Sequence, residues 1–108
     1  MPRSAKKLAQ TALSTTMAAR YTSPAGTVTQ VTEIWLTNTN TTTVRTVTLR
    51  AHGTAAGNTL ADRIEIPARD TAIIDGCKIV LEAGDVLAAS QDAGTDVILT
   101  AYGIQEVA

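Results

Sequence analysis

The chain has 108 residues, with 9 Lys and Arg against 10 Asp and Glu and a formal net charge of -1. That balance offers no overall electrostatic case for nucleic acid or an acidic membrane. The length suits one domain with a thin core, and no run approaches the roughly twenty apolar residues of a membrane helix, so a soluble protein is expected. Aromatics are 3% of the residues and Phe is missing. The core must therefore come from Val, Ile, Leu and Ala, which bury less surface than rings and favour help from partner subunits.

Charge is unevenly placed. Arg3, Lys6, Lys7 and Arg20 make the first twenty residues basic and free of Asp and Glu, whereas most carboxylates follow residue 60. Such an arm suits either a negative surface on a partner or plain solvent. No apolar stretch follows Lys6 and Lys7, because Gln10, Thr11, Ser14, Thr15 and Thr16 interrupt it, so no secretory signal is expected. Cys77 is the only cysteine, which excludes a disulfide within the chain and reads as a small buried hydrophobe.

Residues 4–13 fit either a short helical turn capped by Ser4, with Leu8 and Ala12 on one side, or an extended arm. Leu13 to Tyr21 reads as a first strand that ends at the Ser23-Pro24-Ala25-Gly26 turn. A long strand follows over 27–38, where Val28, Thr32, Ile34 and Leu36 are expected on one face and Val31, Glu33 and Trp35 on the other. Apolar residues on both faces place it centrally or in an interface. Asn38 to Thr43 is a turn-forming loop, and the strand 44–51 points Val47, Leu49 and Ala51 at the core.

Residues 53–58 form a flexible, Gly- and Ala-rich connection. Leu60, Asp62, Ile64 and Ile66 then alternate with Ala61, Arg63 and Glu65, and Pro67 to Asp70 ends that strand. Thr71 to Asp75 is broken by Gly76, Ile79 to Leu81 runs into the Glu82-Ala83-Gly84-Asp85 turn, and strands over 86–90 and 96–107 complete the chain. Eight or so short strands predict an all-β fold, an antiparallel β-sandwich or jelly roll over 21–108 with an extended N-terminal arm over 1–20.

Chemistry is thinly represented. His52 is the only histidine, and a triad from Ser90 or Ser14 with His52 and Asp75 has no nucleophile-elbow sequence behind it. The aspartates are scattered without a calcium-loop pattern, and Asp70 and Asp85 read as turn residues that accept backbone N–H bonds. Gly53 and Gly57 lack the Lys-Ser/Thr ending of a phosphate loop. Trp35, Tyr21 and Tyr102 offer a small sugar-stacking platform, or in the case of Trp35 an anchor in the core or a subunit interface.

Three segments carry a family resemblance: Leu8-Ala9-Gln10 followed by Ala12-Leu13-Ser14-Thr15-Thr16; Tyr21-Thr22-Ser23-Pro24-Ala25-Gly26-Thr27 leading into Ile34-Trp35-Leu36-Thr37-Asn38-Thr39; and Ile66-Pro67-Ala68-Arg69-Asp70-Thr71 leading into Val80-Leu81-Glu82-Ala83-Gly84-Asp85. In order and spacing they are similar to small bacteriophage virion proteins found among tail, fibre and capsid-decorating components. Members often carry Asn where this chain has Arg69, and more aromatics after the Asn38 loop. The resemblance implies a non-enzymatic β-sandwich, without catalytic residues or cofactor, that is made in the host cytoplasm and resides in the virion. It also implies a trimer or larger ring that binds major capsid or tail proteins, while the charge balance and the lack of a long apolar run lead to the expectation of no direct nucleic-acid or membrane contact. Arg3, Lys6, Lys7, Leu8, Leu13, Arg20 and Trp35 are the candidate contact residues.

Overall fold

The computed structural model describes residues 3–107, apart from the side chains of Cys77 and Lys78. The reading of Cys77 as a buried hydrophobe lies outside the described residues. Eight strands are present: β1 (Arg3–Ala12), β2 (Ala18–Thr22), β3 (Thr27–Asn38), β4 (Arg45–Ala51), β5 (Thr59–Ile66), β6 (Thr71–Leu81), β7 (Val86–Gln91) and β8 (Val97–Val107). Between β4 and β5 the connection tightens into a single 3-10 turn, Ala56–Asn58.

The strands form two antiparallel four-stranded sheets, ordered β1-β8-β3-β6 (sheet A) and β2-β7-β4-β5 (sheet B). First therefore pairs with last, second with seventh, third with sixth and fourth with fifth. This is a long hairpin rolled into a double sheet, so the all-β expectation holds and strand order selects the jelly roll.

The segment read as an arm is extended but not free. β1 pairs with β8 from Arg3↔Glu106 to Ala12↔Ile98, and β2 pairs with β7, so residues 3–12 and 18–22 are edge strands of the two sheets. No helical turn forms over 4–13, because backbone hydrogen bonds to an existing strand outweigh one isolated helical turn. The single strand expected over 13–21 is also divided: Leu13 bonds Val97, residues 13–17 cross between the sheets, and β2 begins at Ala18.

The core between the sheets is aliphatic. Ile34, Leu36 and Leu99 from sheet A meet Val47, Leu49, Ile66 and Leu87 from sheet B, all buried, with Leu13 closing one end. A buried polar cluster joins the sheets elsewhere: Ser23 Oγ bonds the Thr27 carbonyl and Thr29 Oγ1, while Tyr21 Oη bonds Thr29 Oγ1 and receives the Gln105 amide.

A line of bulges crosses sheet A. β1 shifts register between Lys7 and Ala9, and β3 shifts between Val31 and Glu33 against both neighbours. On β6, residues 76–78 face the same irregularity, with Gly76 at φ 65. A bulge moves the strand by one residue and so exchanges its faces. Thr27, Thr29 and Val31 point inward before the bulge in β3, and Ile34, Leu36 and Asn38 after it. The one alternation expected across 27–38 is corrected accordingly: Val28 is exposed and Val31 is core. β8 stays regular, and Gly103 sits beside the bulges with its Cα against the Gln30 carbonyl, where any Cβ would collide.

The same effect corrects β5. A register shift between Val47↔Ile64 and Leu49↔Ala61, with Arg63 at φ 55, turns Ala61 inward and leaves Leu60 exposed.

Candidate interaction surface

The outward side chains of sheet A follow from its register, because residues directly opposite on antiparallel strands share a face. From one end to the other, in the order β1, β8, β3, β6, the rows are Ala12, Ile98, Thr37, Thr71; Gln10, Thr100, Trp35, Ile73; Lys7, Tyr102, Glu33, Asp75; Ala5, Ile104, Gln30, Val80; and Arg3, Glu106, Val28. Within this lattice Trp35 is 39% exposed, Tyr102 40%, Val28 42%, Val80 45% and Ile73 50%. These five form most of the large exposed apolar residues and lie on one face.

The face also has a charge pattern. Lys7 on β1 and Asp75 on β6 stand at opposite edges of the middle row, with Tyr102 and Glu33 between them. The Trp35 indole N–H donates to Glu33 Oε1, which holds the ring along its own strand. At the end row Arg3 pairs with Glu106 at 3.4 Å, an exposed contact worth little to stability.

The outer face of sheet B differs. Thr46, Thr48, Arg50, Glu65 and Ser90 point outward, Thr48 Oγ1 donates to Asp62, and Arg50 bonds Thr59 Oγ1. A shallow, open depression of about 290 Å³ lies there, lined by Thr46, Thr48, Asp62, Arg63, Ser90, Gln91 and Asp92.

One end of the sandwich is bound by Asp96. Its carboxylate accepts from Arg45 Nε at 2.9 Å, Arg45 Nη2 at 3.1 Å, Asn40 Nδ2 at 2.9 Å and Gln91 Nε2 at 2.8 Å. These donors, led by Arg45, hold its pKa well below the usual carboxylate range. Asn38, at the start of the turn-forming loop, is buried, with its amide donating to the carbonyls of Thr43 and Ile66. Thr39 and Thr41 to Thr43 of that loop are exposed, and Asn40 is half-buried.

The sequence candidates separate into groups. Arg3, Lys6 and Lys7 are exposed on edge strand β1, and Trp35 is exposed rather than part of the core. Leu13 is fully buried and is corrected to a core residue, since a side chain between the sheets reaches no partner. Leu8 is half-buried against the core. Arg20 is occupied within the chain, donating to the Ala89 and Thr16 carbonyls and to Ser14 Oγ.

His52, at φ 69, pairs with Asp85 at 3.1 Å, and this contact together with the Glu82 N–H lowers the Asp85 pKa. Asp75 lies on the other sheet from His52 and Ser90, so the triad weighed above is not assembled. Asp70 and Asp85 accept backbone N–H groups at turns, as their sequence context suggested. Among the described residues no three of His, Cys, Asp and Glu gather as a metal-binding group, and no helix is long and apolar enough to cross a membrane.

What sequence reasoning missed is the gathering of Ile73, Val80 and Val28 beside Trp35 and Tyr102. Their inward or outward sense depends on bulges that bring residues of opposite parity to one face. No protein-family model matches the chain, and no curated protein is similar to it in sequence.

Proposed function

We propose that this chain is a non-enzymatic structural component of a bacteriophage virion that works by binding protein, decorating or cementing the capsid through contact with copies of itself and with the capsid subunits. The observation that carries this reading is the exposed apolar lattice on sheet A, which has the composition of a contact surface. The exposed basic residues of β1 add a second contact element for a negative surface. Jelly rolls recur in viral capsid proteins, an analogy of fold that supports the reading without carrying it. Binding to the assembled particle alone stabilises that assembly by mass action, and no chemistry is required.

The test is electron microscopy of particles with and without the protein, repeated with Trp35→Ser. Density at regular shell positions, weakened by Trp35→Ser, is expected. A second reading, a tail or fibre component that binds a receptor or glycan, is favoured by Trp35 and Tyr102 being exposed on one face. Density confined to the tail, together with quenching of Trp35 fluorescence by added sugar, would replace the first reading with the second.

A further inference from the structure

The two outer faces, the sheet edges, the 290 Å³ depression and the ion pairs differ in what they imply about a ligand. The depression on sheet B is lined by polar groups that largely satisfy one another. The face of sheet A has both apolar exposure and a charge pattern with a direction. We infer that the occupant of this face is a second copy of the same chain, packed face to face about a two-fold axis that runs parallel to the strands between β8 and β3. This inference rests on the reading of sheet A as a protein-binding surface and names what covers it.

Charge placement selects that axis. A face-to-face pair of identical sheets is related by a two-fold axis lying in the contact plane. When the axis runs along the strands, β1 of one copy lies over β6 of the other. Lys7 then meets Asp75 of the second copy twice, once at each edge, and Tyr102 lies over Glu33 of the second copy, where its hydroxyl can donate to the carboxylate. An axis across the strands would instead stack Lys7 on Lys7 and Asp75 on Asp75, because their row is the middle one of the five. Like charges placed together in this way oppose association.

Three of the five exposed apolar side chains fit the same arrangement, whereas Val28, at the end row, falls over Glu106, whose carboxylate is paired with Arg3. Val80 falls over Ala5 and Trp35 over Thr100, a large side chain opposite a smaller one in each case, while Ile73 is set against the stem of Gln10. Strand spacing and rise make the face about 19 Å by 30 Å, so two copies bury about 1,200 Å², the lower bound of specific dimers. The pair is thus a reversible two-fold dimer, in place of the trimer or ring that the sequence resemblance implies.

The experiment is sedimentation equilibrium of the full chain at low salt, where ion pairs are least screened, on wild type, Lys7→Glu, Asp75→Lys and the double variant. Circular dichroism confirms that each variant folds, which is expected because both positions are exposed. The expected result is a wild-type dimer, a loss of about tenfold in association for each single reversal, and recovery in the double variant. The single tryptophan should shift its emission to the blue as the dimer forms. A dimer indifferent to all three variants, or a trimer, overturns the face-to-face arrangement and leaves self-association standing. A monomer whose binding to particles is still weakened by Trp35→Ser overturns the inference and leaves the protein-binding reading intact. A monomer whose particle binding ignores Trp35→Ser overturns both.

Discussion

The two outer faces of this sandwich are built on the same hydrogen-bonded scaffold and have opposite chemistry. Sheet A presents Trp35, Ile73, Val80 and Tyr102 to its exterior, and sheet B presents Thr46, Thr48, Arg50 and Glu65, with Leu60 exposed on its edge strand β5. On sheet B the polar groups bond across strands, as Thr48 does to Asp62, so water on that side is well accommodated. On sheet A the Trp35 indole N–H bonds Glu33, but among the described residues no cross-strand network covers the ring faces, and burying them against another protein is favourable by about 25 cal/mol for each Å² of apolar surface.

The comparison is sharpest one residue at a time along β3, where Ile34 points inward and Trp35 outward. Ile34→Ala should cost about 3–4 kcal/mol through lost burial and a cavity, measured as a lower urea midpoint. Gly103→Ala tests the bulge line that arranges the sheet A lattice. A Cβ there collides with the Gln30 carbonyl and lies 2.9 Å from Leu8 Cδ1, and backbone has little room to yield. A loss of about 3 kcal/mol is expected, along with a weakened β1, seen as faster amide exchange over 3–12.

Asp96→Asn probes the bound end of the sandwich, away from both faces, and should cost about 2 kcal/mol. The sign of its pH dependence is set by a folded pKa lying below the usual carboxylate range. Its contribution is fully present above about pH 4 and is lost as pH falls from there toward the folded value. Thermal unfolding of wild type between pH 5 and pH 2 should therefore decline more steeply than that of Asp96→Asn. Equal slopes would show that the carboxylate contributes nothing through its charge.

Trp35→Ser should cost only about 1 kcal/mol in the isolated chain, since the ring is already 39% exposed, while lowering the binding of a hydrophobic dye. A loss as large as that of Ile34→Ala would mean that Trp35 belongs to the core and would erase the contrast between the faces. Arg69→Asn has the smallest effect and the opposite sign. Turns 24–27, 67–70 and 82–85 each close with a bond from the fourth residue to the first, and their third positions are Gly26, Arg69 and Gly84, all at positive φ. Asn tolerates that conformation better than Arg, so a gain of about 0.5 kcal/mol is expected in the urea midpoint.

Much of the fold could be read from residues. The limits of β3, Thr27–Asn38, match the expected strand, and β4, β7 and β8 fall within a residue or two of theirs. Val47, Leu49 and Ala51 point inward as expected, because β4 keeps its alternation over that stretch. Face assignment failed where alternation was interrupted, at Thr32 in β3 and at Asp62 and Arg63 in β5. The signal is present in β3, where apolar parity changes between Val31 and Ile34, but a single continuous period over 27–38 overlooks it. Gly76 is expected to break the strand, and the backbone instead passes through it as a bulge within one strand. The candidate surface is legible only in part: Lys7 and Trp35 stand out in the sequence, whereas no local pattern connects Ile73, Val80 and Asp75 to them.

Sequence alone determined the class of this protein: short, β-prone, Thr-laced runs between turn residues, with an aliphatic core and few rings, have no good helical alternative. Local preference operates over a few residues, which is enough to define strands and turns. Tertiary structure alone decided that residues 3–12 join sheet A as an edge, that the strands roll into a jelly roll, and that Lys7, Tyr102, Glu33 and Asp75 share one row. These outcomes depend on pairing across the length of the chain and on bulges that exchange faces, and no local stretch of residues encodes them.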